Sequence, residues 1–439
     1  MEINKVVLMG TAVAALSITT LGFKTVRKNP LDHHHITKCY ELKGCTFKTL
    51  FGEEPSVGGF VFKTPASVDA SISGGLDWLI DAQQKDGGWG AGSHSLQHIR
   101  DPHAVATDPA TTAMVGMALL RTGSTPEKGA YSQKIKDALH YLLEAVEATP
   151  PNQLKITNLS GTQIQTKLGD HIDAVLAAQF FNNILELDHL SDPTKNRIKE
   201  ALAQCVDRIQ KNQNTDGSIK GDGWAGVLQS ALANNALEAA AENDISIDEG
   251  ALERSRTYQE DNFDAKSGKV NTDKGAGVVL YSISGSIRAS AQKAREVERL
   301  LTKAKQSGEI GEETEVSEII LEEIGVSKEE ASKLMTSYQV YQAGKTRAQE
   351  NDVLNGFGNN GGEEFLSFLQ TGESIVIAGD SDWKKWYDDT SGRIISIQNQ
   401  DGSWNGHHCI TSPVFCTATC LLILSIDQDI ERLQRLGDS

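Results

Sequence analysis

The chain has 439 residues, 39% hydrophobic and 23% charged, which is ordinary globular composition and enough for a large core. A formal net charge of -17 argues against a nucleic-acid phosphate surface, which needs clustered Lys and Arg, and fits a soluble acidic protein. Six cysteines (Cys39, Cys45, Cys205, Cys409, Cys416, Cys420) are too few for a disulfide scaffold at this size, although one or two bridges are compatible with them.

In chain order, Met1 to Lys5 precede Val6 to Phe23, a run without a charge, and then Lys24, Arg27 and Lys28. That pattern suits either a secretory signal or one membrane-anchoring helix over residues 1–28, and Ala12-Val13-Ala14 comes too early to be a good cleavage site. The expectation is an exported protein, periplasmic or anchored, that meets the membrane only through this segment. Residues 29–65 form a separate head or linker with His33-His34-His35, Cys39 and Cys45. These are metal-ligating residue types, but their spacing matches no closed zinc motif.

A repeating unit starts after residue 66. Gly75 to Gly90 reads as a helix with Leu76, Leu79, Ile80 and Gln83 on one face, followed by a Gln84-Lys85-Asp86-Gly87-Gly88-Trp89 turn. A second helix is expected from Asp108-Pro109 through Leu120. The same order recurs in Val206 to Ala240, with a turn over Gln210 to Gly217, an entry at Gly221-Asp222-Gly223-Trp224 and a small-residue inner helix. It recurs most clearly in Arg393 to Leu424. There Asp401-Gly402 is a turn former, Ser412-Pro413 is a helix start, and Val414 to Ile426 is almost wholly apolar, so that helix should be buried nearly all round. Weaker copies pair Tyr131 to Val146 with Leu168 to Leu187, Ala251 to Phe263 with Ala276 to Ala289, and Met335 to Gln349 with Gly362 to Ala378. About six helical hairpins result, and six can close a ring. Residues 290–334 fall outside the repeat and read as a charged helical insertion, broken at Gly308 and Gly311, with Ser327 and Glu330 spaced as a capping box. The first part of the ring is thus expected over 66–289 and its C-terminal part over 335–439.

The Gln-x-x-Asp-Gly-Ser-Trp pattern, seen at Asn399 to Trp404, Gln83 to Trp89 and Gln210 to Ser218, resembles the repeats of the terpenoid cyclase and protein prenyltransferase superfamily, which includes the squalene cyclases. Gly361 to Leu366 (GGEEFL) and Gly406 to Pro413 (GHHCITSP) are similar to segments of an exported bacterial subgroup with this repeat. The resemblance covers roughly Ser71 to Ile426 apart from the insertion. It implies an all-α fold, an α/α toroid with parallel inner helices and outer helices antiparallel to them, and a central cavity for an apolar, isoprenoid-like molecule. It does not carry over the chemistry. The chain contains no Asp-x-Asp-Asp string like the one that supplies the cyclase acid, and no inner helix offers the Asp-x-Cys of a prenyltransferase zinc site.

Parallel inner helices would gather their N-termini at one mouth, where exposed N–H groups favour anions. Asp173, Glu364 and His408 are the catalytic candidates there. Asp108, Thr112, Asp170, His171, Trp224 and Glu363 are candidate ligand-binding residues, and His407, His408, Cys409 and Cys416 candidate ligands for a divalent metal such as zinc. Acidic residues in a first helical turn are also ordinary caps, Cys416 and Cys420 also suit an apolar core face, and Trp89 and Trp404 read as repeat staples. Three functions are open, the first of them implied by the resemblance. One is a ring that binds a small apolar molecule. The second is a non-catalytic binding or scaffold protein with an envelope protein as partner. The third is a carbohydrate-active enzyme pairing Glu363 or Glu364 with Asp170 or Asp173.

Overall fold

The computed structural model describes residues 64–188, 190–221 and 223–438. The apolar N-terminal run, the His33-His34-His35 triplet, Cys39, Cys45 and Asp222 lie outside the described residues. The chain alternates outer and inner helices. Outer α1 (Ala66–Asp81) leads to inner α2 (Pro109–Arg121). Outer α3 (Ser132–Glu147) is followed by the short α4 (Gln163–Leu168) and inner α5 (Ile172–Leu185). Outer α6 (Asp192–Lys211) precedes inner α7 (Gly226–Glu242). Outer α8 (Glu249–Glu260) and the small β1–β2 ribbon (Phe263–Asp264, Lys269–Val270) precede inner α9 (Val279–Ser307). After α10 (Glu318–Glu323) come outer α11 (Lys328–Ala348), the single turn α12 (Asn351–Leu354) and inner α13 (Gly362–Ile377). Outer α14 (Trp383–Ser396), inner α15 (Pro413–Leu424) and a C-terminal α16 (Ile430–Asp438) complete the order.

The six inner helices pack in sequence, α2 on α5, α5 on α7, α7 on α9, α9 on α13, α13 on α15, and α15 back on α2, so the ring is closed. Each outer helix packs on the inner helix preceding it in this cycle, and α1 lies on α15, joining the first hairpin to the last. This is an α/α toroid. Composition explains which helices go inside. Val414 to Leu424 in α15 are all buried, and α7 presents Ala231, Ala233, Ala236 and Ala240, whose small side chains let neighbouring helices approach. The outer helices are amphipathic; α3 buries Ile135, Leu139, Leu142 and Val146 on one face and leaves the other to solvent.

The Gln/Asp/Gly/Trp turn joins one hairpin to the next. Gln83, Gln213 and Gln398 each donate from Nε2 to the carbonyl of their own turn glycine, Gly87, Gly217 or Gly402, at 2.8, 3.3 and 2.8 Å. The same amides donate to the backbone of the next outer helix, at Lys134 (3.0 Å), Ala251 (2.8 Å) and, across the seam of the ring, Ser71 (3.0 Å). The turn glycine cannot be replaced cheaply. Gly402 has φ 91°, and a Cβ there would stand 2.4 Å from the Gly74 carbonyl oxygen. Trp89 and Trp404 are fully buried, and their indole N–H groups donate to Leu79 and Ile394 carbonyls at 2.8 Å. Their backbone N–H groups reach Thr112 and Thr417 hydroxyls at 2.9 and 2.8 Å. In the third copy Ile219 occupies the tryptophan's place, with its N–H on the Ser230 hydroxyl at 3.0 Å, so Trp224 is not a staple.

The charged segment after residue 290 is continuous with the ring, because α9 runs unbroken to Ser307 and ends at Gly308 in the left-handed conformation (φ 75°). Ser327 caps α11 by accepting from Glu330 N–H at 3.3 Å. Val297, Leu301, Leu321, Ala331 and Leu334 form a small second core beneath it.

Candidate functional site

Hydrogen bonds between the loops that enter neighbouring inner helices place all six N-termini at one end. Ala110 N–H reaches Asp173 (3.2 Å), Ala225 N–H the Lys167 carbonyl (2.7 Å), Val227 N–H the Lys274 carbonyl (3.0 Å) and Gly362 N–H the Ile410 carbonyl (3.1 Å). The expected mouth therefore exists, and its residues fall into three groups.

In the first group, Asp108 caps α2. It accepts from Thr111 N–H (2.7 Å) and Thr111 hydroxyl (2.9 Å) and holds the incoming loop through Ala91 N–H (2.9 Å). Asp173 accepts from Ala110 N–H and from Gln165 Nε2 (2.7 Å). Burial, then the nearby Asp173 charge, push the Asp108 carboxyl up to about 7; burial also raises Asp173. Thr112 is spent on Trp89. A second group sits at the rim. Asp170 pairs with Lys155 at 2.8 Å, and His171 donates its backbone N–H to Gln229 (2.9 Å). Burial, then Lys155, lower the His171 imidazole. Trp224 is 60% exposed, with Lys167 Nζ 4.2 Å above its ring.

The third group surrounds the start of α13. Glu364 accepts from Gly361 N–H (2.8 Å), Phe357 N–H (3.2 Å) and the Tyr281 hydroxyl, and lies 3.7 Å from His408 Nε2. Glu363 accepts from Ile410 N–H at 3.2 Å; burial, then Glu364, push it up to about 8. Cys409 adopts φ 58°, unusual outside glycine, and its half-buried thiol is pushed up to about 11 by burial and by Glu363. Cys416 is fully buried and turns its thiol to the Ile410 carbonyl (3.5 Å); burial pushes it well above the usual thiol range. His408 lies 2.6 Å from the Asn359 carbonyl and packs on Phe357, while His407 is exposed.

The structure does not assemble the expected metal set of His407, His408, Cys409 and Cys416. Among the described residues no group of three or more His, Cys, Asp or Glu side chains is placed to hold a metal ion. Cys409 and Cys416 are also not paired with each other. The physical reason lies in the loop. It turns His407 outward and gives His408 and Cys416 carbonyl partners, so their donors do not converge.

Sequence reasoning missed Gln163 at the start of α4. Its Oε1 accepts from Thr411 and Ser412 N–H (2.8 and 3.1 Å) and its Nε2 donates to the Ala91 carbonyl (2.9 Å), clamping three segments over the mouth. No spacing rule marks it. The opposite end is closed by α16, which buries Leu433 and Leu436. Arg295 holds it through a forked pair with Asp438 (2.8 and 3.0 Å), and Arg121 fixes the turn before it through Asp429 (2.9 Å). Between these closures lies a cavity of about 60 Å³, walled by inner-helix residues such as Met114, Met117, Leu366 and Leu369 and by the polar Gln179 and Gln370.

No protein-family model matches the chain, and no curated protein matches it. Among solved structures it is similar to a variant of the type II terpene cyclase MstE from Scytonema in complex with merosterolic acid A, its product. The identity is 13%, the TM-score 0.46, and the match covers 83% of this chain and 98% of that one.

Proposed function

We propose that this chain is an exported ring protein of the cell envelope that binds or scaffolds and does not cyclise. The cavity carries this reading. Among the described residues this space of about 60 Å³ is less than half the roughly 150 Å³ that accommodates benzene in an engineered core, so it is too small for an isoprenoid. The absence of an Asp-x-Asp-Asp string supports the same reading, and the uncharged Val6 to Phe23 run flanked by basic residues supports export or anchoring. Surfaces for a protein partner are available at the mouth, where Trp224 and Phe357 are 60% and 56% exposed. Aromatic side chains of this kind anchor protein contacts.

One observation favours an apolar ligand as a second reading. Met114, Met117, Leu366, Leu369 and Leu433 all face the cavity, and withdrawal of α16 would enlarge it. The carbohydrate-active reading gains nothing. Asp173, Glu363 and Glu364 are each at most 1% exposed and bound to backbone donors, not set across an open polar cleft. The test is incubation of the purified protein with linear polyprenyl alcohols and diphosphates, followed by mass-spectrometric product analysis. The proposal expects every substrate back unchanged; any cyclised or transferred product overturns it.

A further inference from the structure

The ring cavity has unmet hydrogen-bonding demand that its own residues do not satisfy. Three consecutive inner helices, α7, α9 and α13, contribute Asn235, Arg288 and Gln370 to its wall. Gln370 is 1% exposed, and neither atom of its amide has a partner. Arg288 is 3% exposed and its Nε–H is unpartnered, as is the buried Oδ1 of Asn235. The guanidinium groups around them each have a carboxylate partner: Arg288 reaches Glu238 through Nη1 (2.9 Å) and shares it with Arg256, and Arg121, which also pairs with Glu373 (2.6 Å), shares Asp429 with Arg432.

Among the described residues, two donor atoms, Gln370 Nε2 and Arg288 Nε, and two acceptors, Gln370 Oε1 and Asn235 Oδ1, have no partner. Leaving such groups dry is costly, and natural interiors avoid it. A primary carboxamide offers the complement, two carbonyl lone pairs and two N–H bonds. A carboxylate offers only acceptors and would face two acceptors unpaired. Size sets the second limit. On the scale that gives benzene roughly 150 Å³, about 60 Å³ admits only an amide of a few heavy atoms, whose short alkyl part would lie on Met114, Met117 and Leu366.

We propose that the ring cavity is a binding site for a small neutral primary amide, held by Gln370, Asn235 and Arg288. This site is independent of the scaffold reading, since it lies inside the ring and the partner surfaces lie outside it. The test is isothermal titration of the full chain with acetamide, propionamide, acetate and benzamide, repeated on Gln370→Leu and Asn235→Leu, with the melting temperature of each variant as the folding control. Expected are one saturable site for acetamide and propionamide, acetate at least tenfold weaker, and no binding of benzamide, which is too large. Gln370→Leu should lose at least tenfold in amide affinity while melting no lower than the parent, because it removes an unpaired buried amide. If Gln370→Leu fails to fold, the same loss in Asn235→Leu decides the matter. Equal binding of acetate, amide binding unchanged in the folded variants, or no saturable amide binding would each overturn the proposal. The last outcome would leave the cavity as a site for ordered water.

Discussion

Burial raises the carboxyls of Asp108 and Glu363 above the range in which the unfolded chain releases these protons. Their folded values are raised to about 7 and about 8 from 3.8 and 4.5, in both cases mainly by burial. A raised value means that the folded state binds the extra proton. The stability each contributes is full below about pH 4 and is lost as pH rises towards 7 and 8. Melting temperature should therefore fall between pH 5 and pH 8, and Asp108→Asn with Glu363→Gln should flatten that slope. A slope as steep in the double variant as in the parent would contradict the assignment. Two tryptophans offer a contrast in the same medium. Trp404→Ala empties a fully buried staple and should cost about 3–5 kcal/mol in denaturant unfolding. Trp224→Ala, at a 60% exposed site, should change stability by no more than about 0.5 kcal/mol. Reversed magnitudes would mean that the staples are misassigned. Such roles were legible in the sequence where a residue type is spent on its own backbone. Gln, Asp, Gly and Trp recur in the turns because each does a local job that a spacing can reveal. Gln163 and Gln370 were not legible, since their partners lie on distant segments or are missing altogether.

The inner and outer helices follow their periodicity closely, and the six hairpins expected from the repeat are all present. The inner helix expected over Leu168 to Leu187 is broken at Gly169, where α4 ends, and resumes as α5 at Ile172, and two further elements depart from the sequence reading. The first is α9, which passes residue 290 without interruption; its charged half reads as an insertion because its outer face is solvated, yet its apolar stripe packs on α11. The second is α16. Its nine residues carry Arg, Glu and Asp as well as Leu, and nothing in that composition shows that Leu433 and Leu436 close a ring. Removal of residues 430–439 takes away Leu433 and Leu436 from the cavity wall and leaves Arg295 without Asp438. The truncated chain should keep its helical circular dichroism and gain fluorescence with an apolar dye such as Nile red, relative to the full chain. Equal dye binding by both forms would show that α16 does not close the cavity.

At the level of the molecule, the ring is held as a closed cycle. Gln398 reaching Ser71 and α1 packing on α15 join residues more than three hundred positions apart. The inner-helix N-termini gather at one end, and there Asp108, Asp173, Glu363 and Glu364 accept backbone N–H groups. Sequence patterning placed those residues together because caps and catalytic groups draw on the same residue types. The central claim is that the folded ring carries neither an isoprenoid nor a metal. Native mass spectrometry with elemental analysis, on protein isolated from its own envelope without added lipid or metal, addresses it most directly. The account predicts the mass of the mature chain with no stoichiometric metal and no bound apolar molecule larger than a few heavy atoms. A stoichiometric polyprenyl adduct, or one zinc per chain lost in His408→Ala, would contradict it.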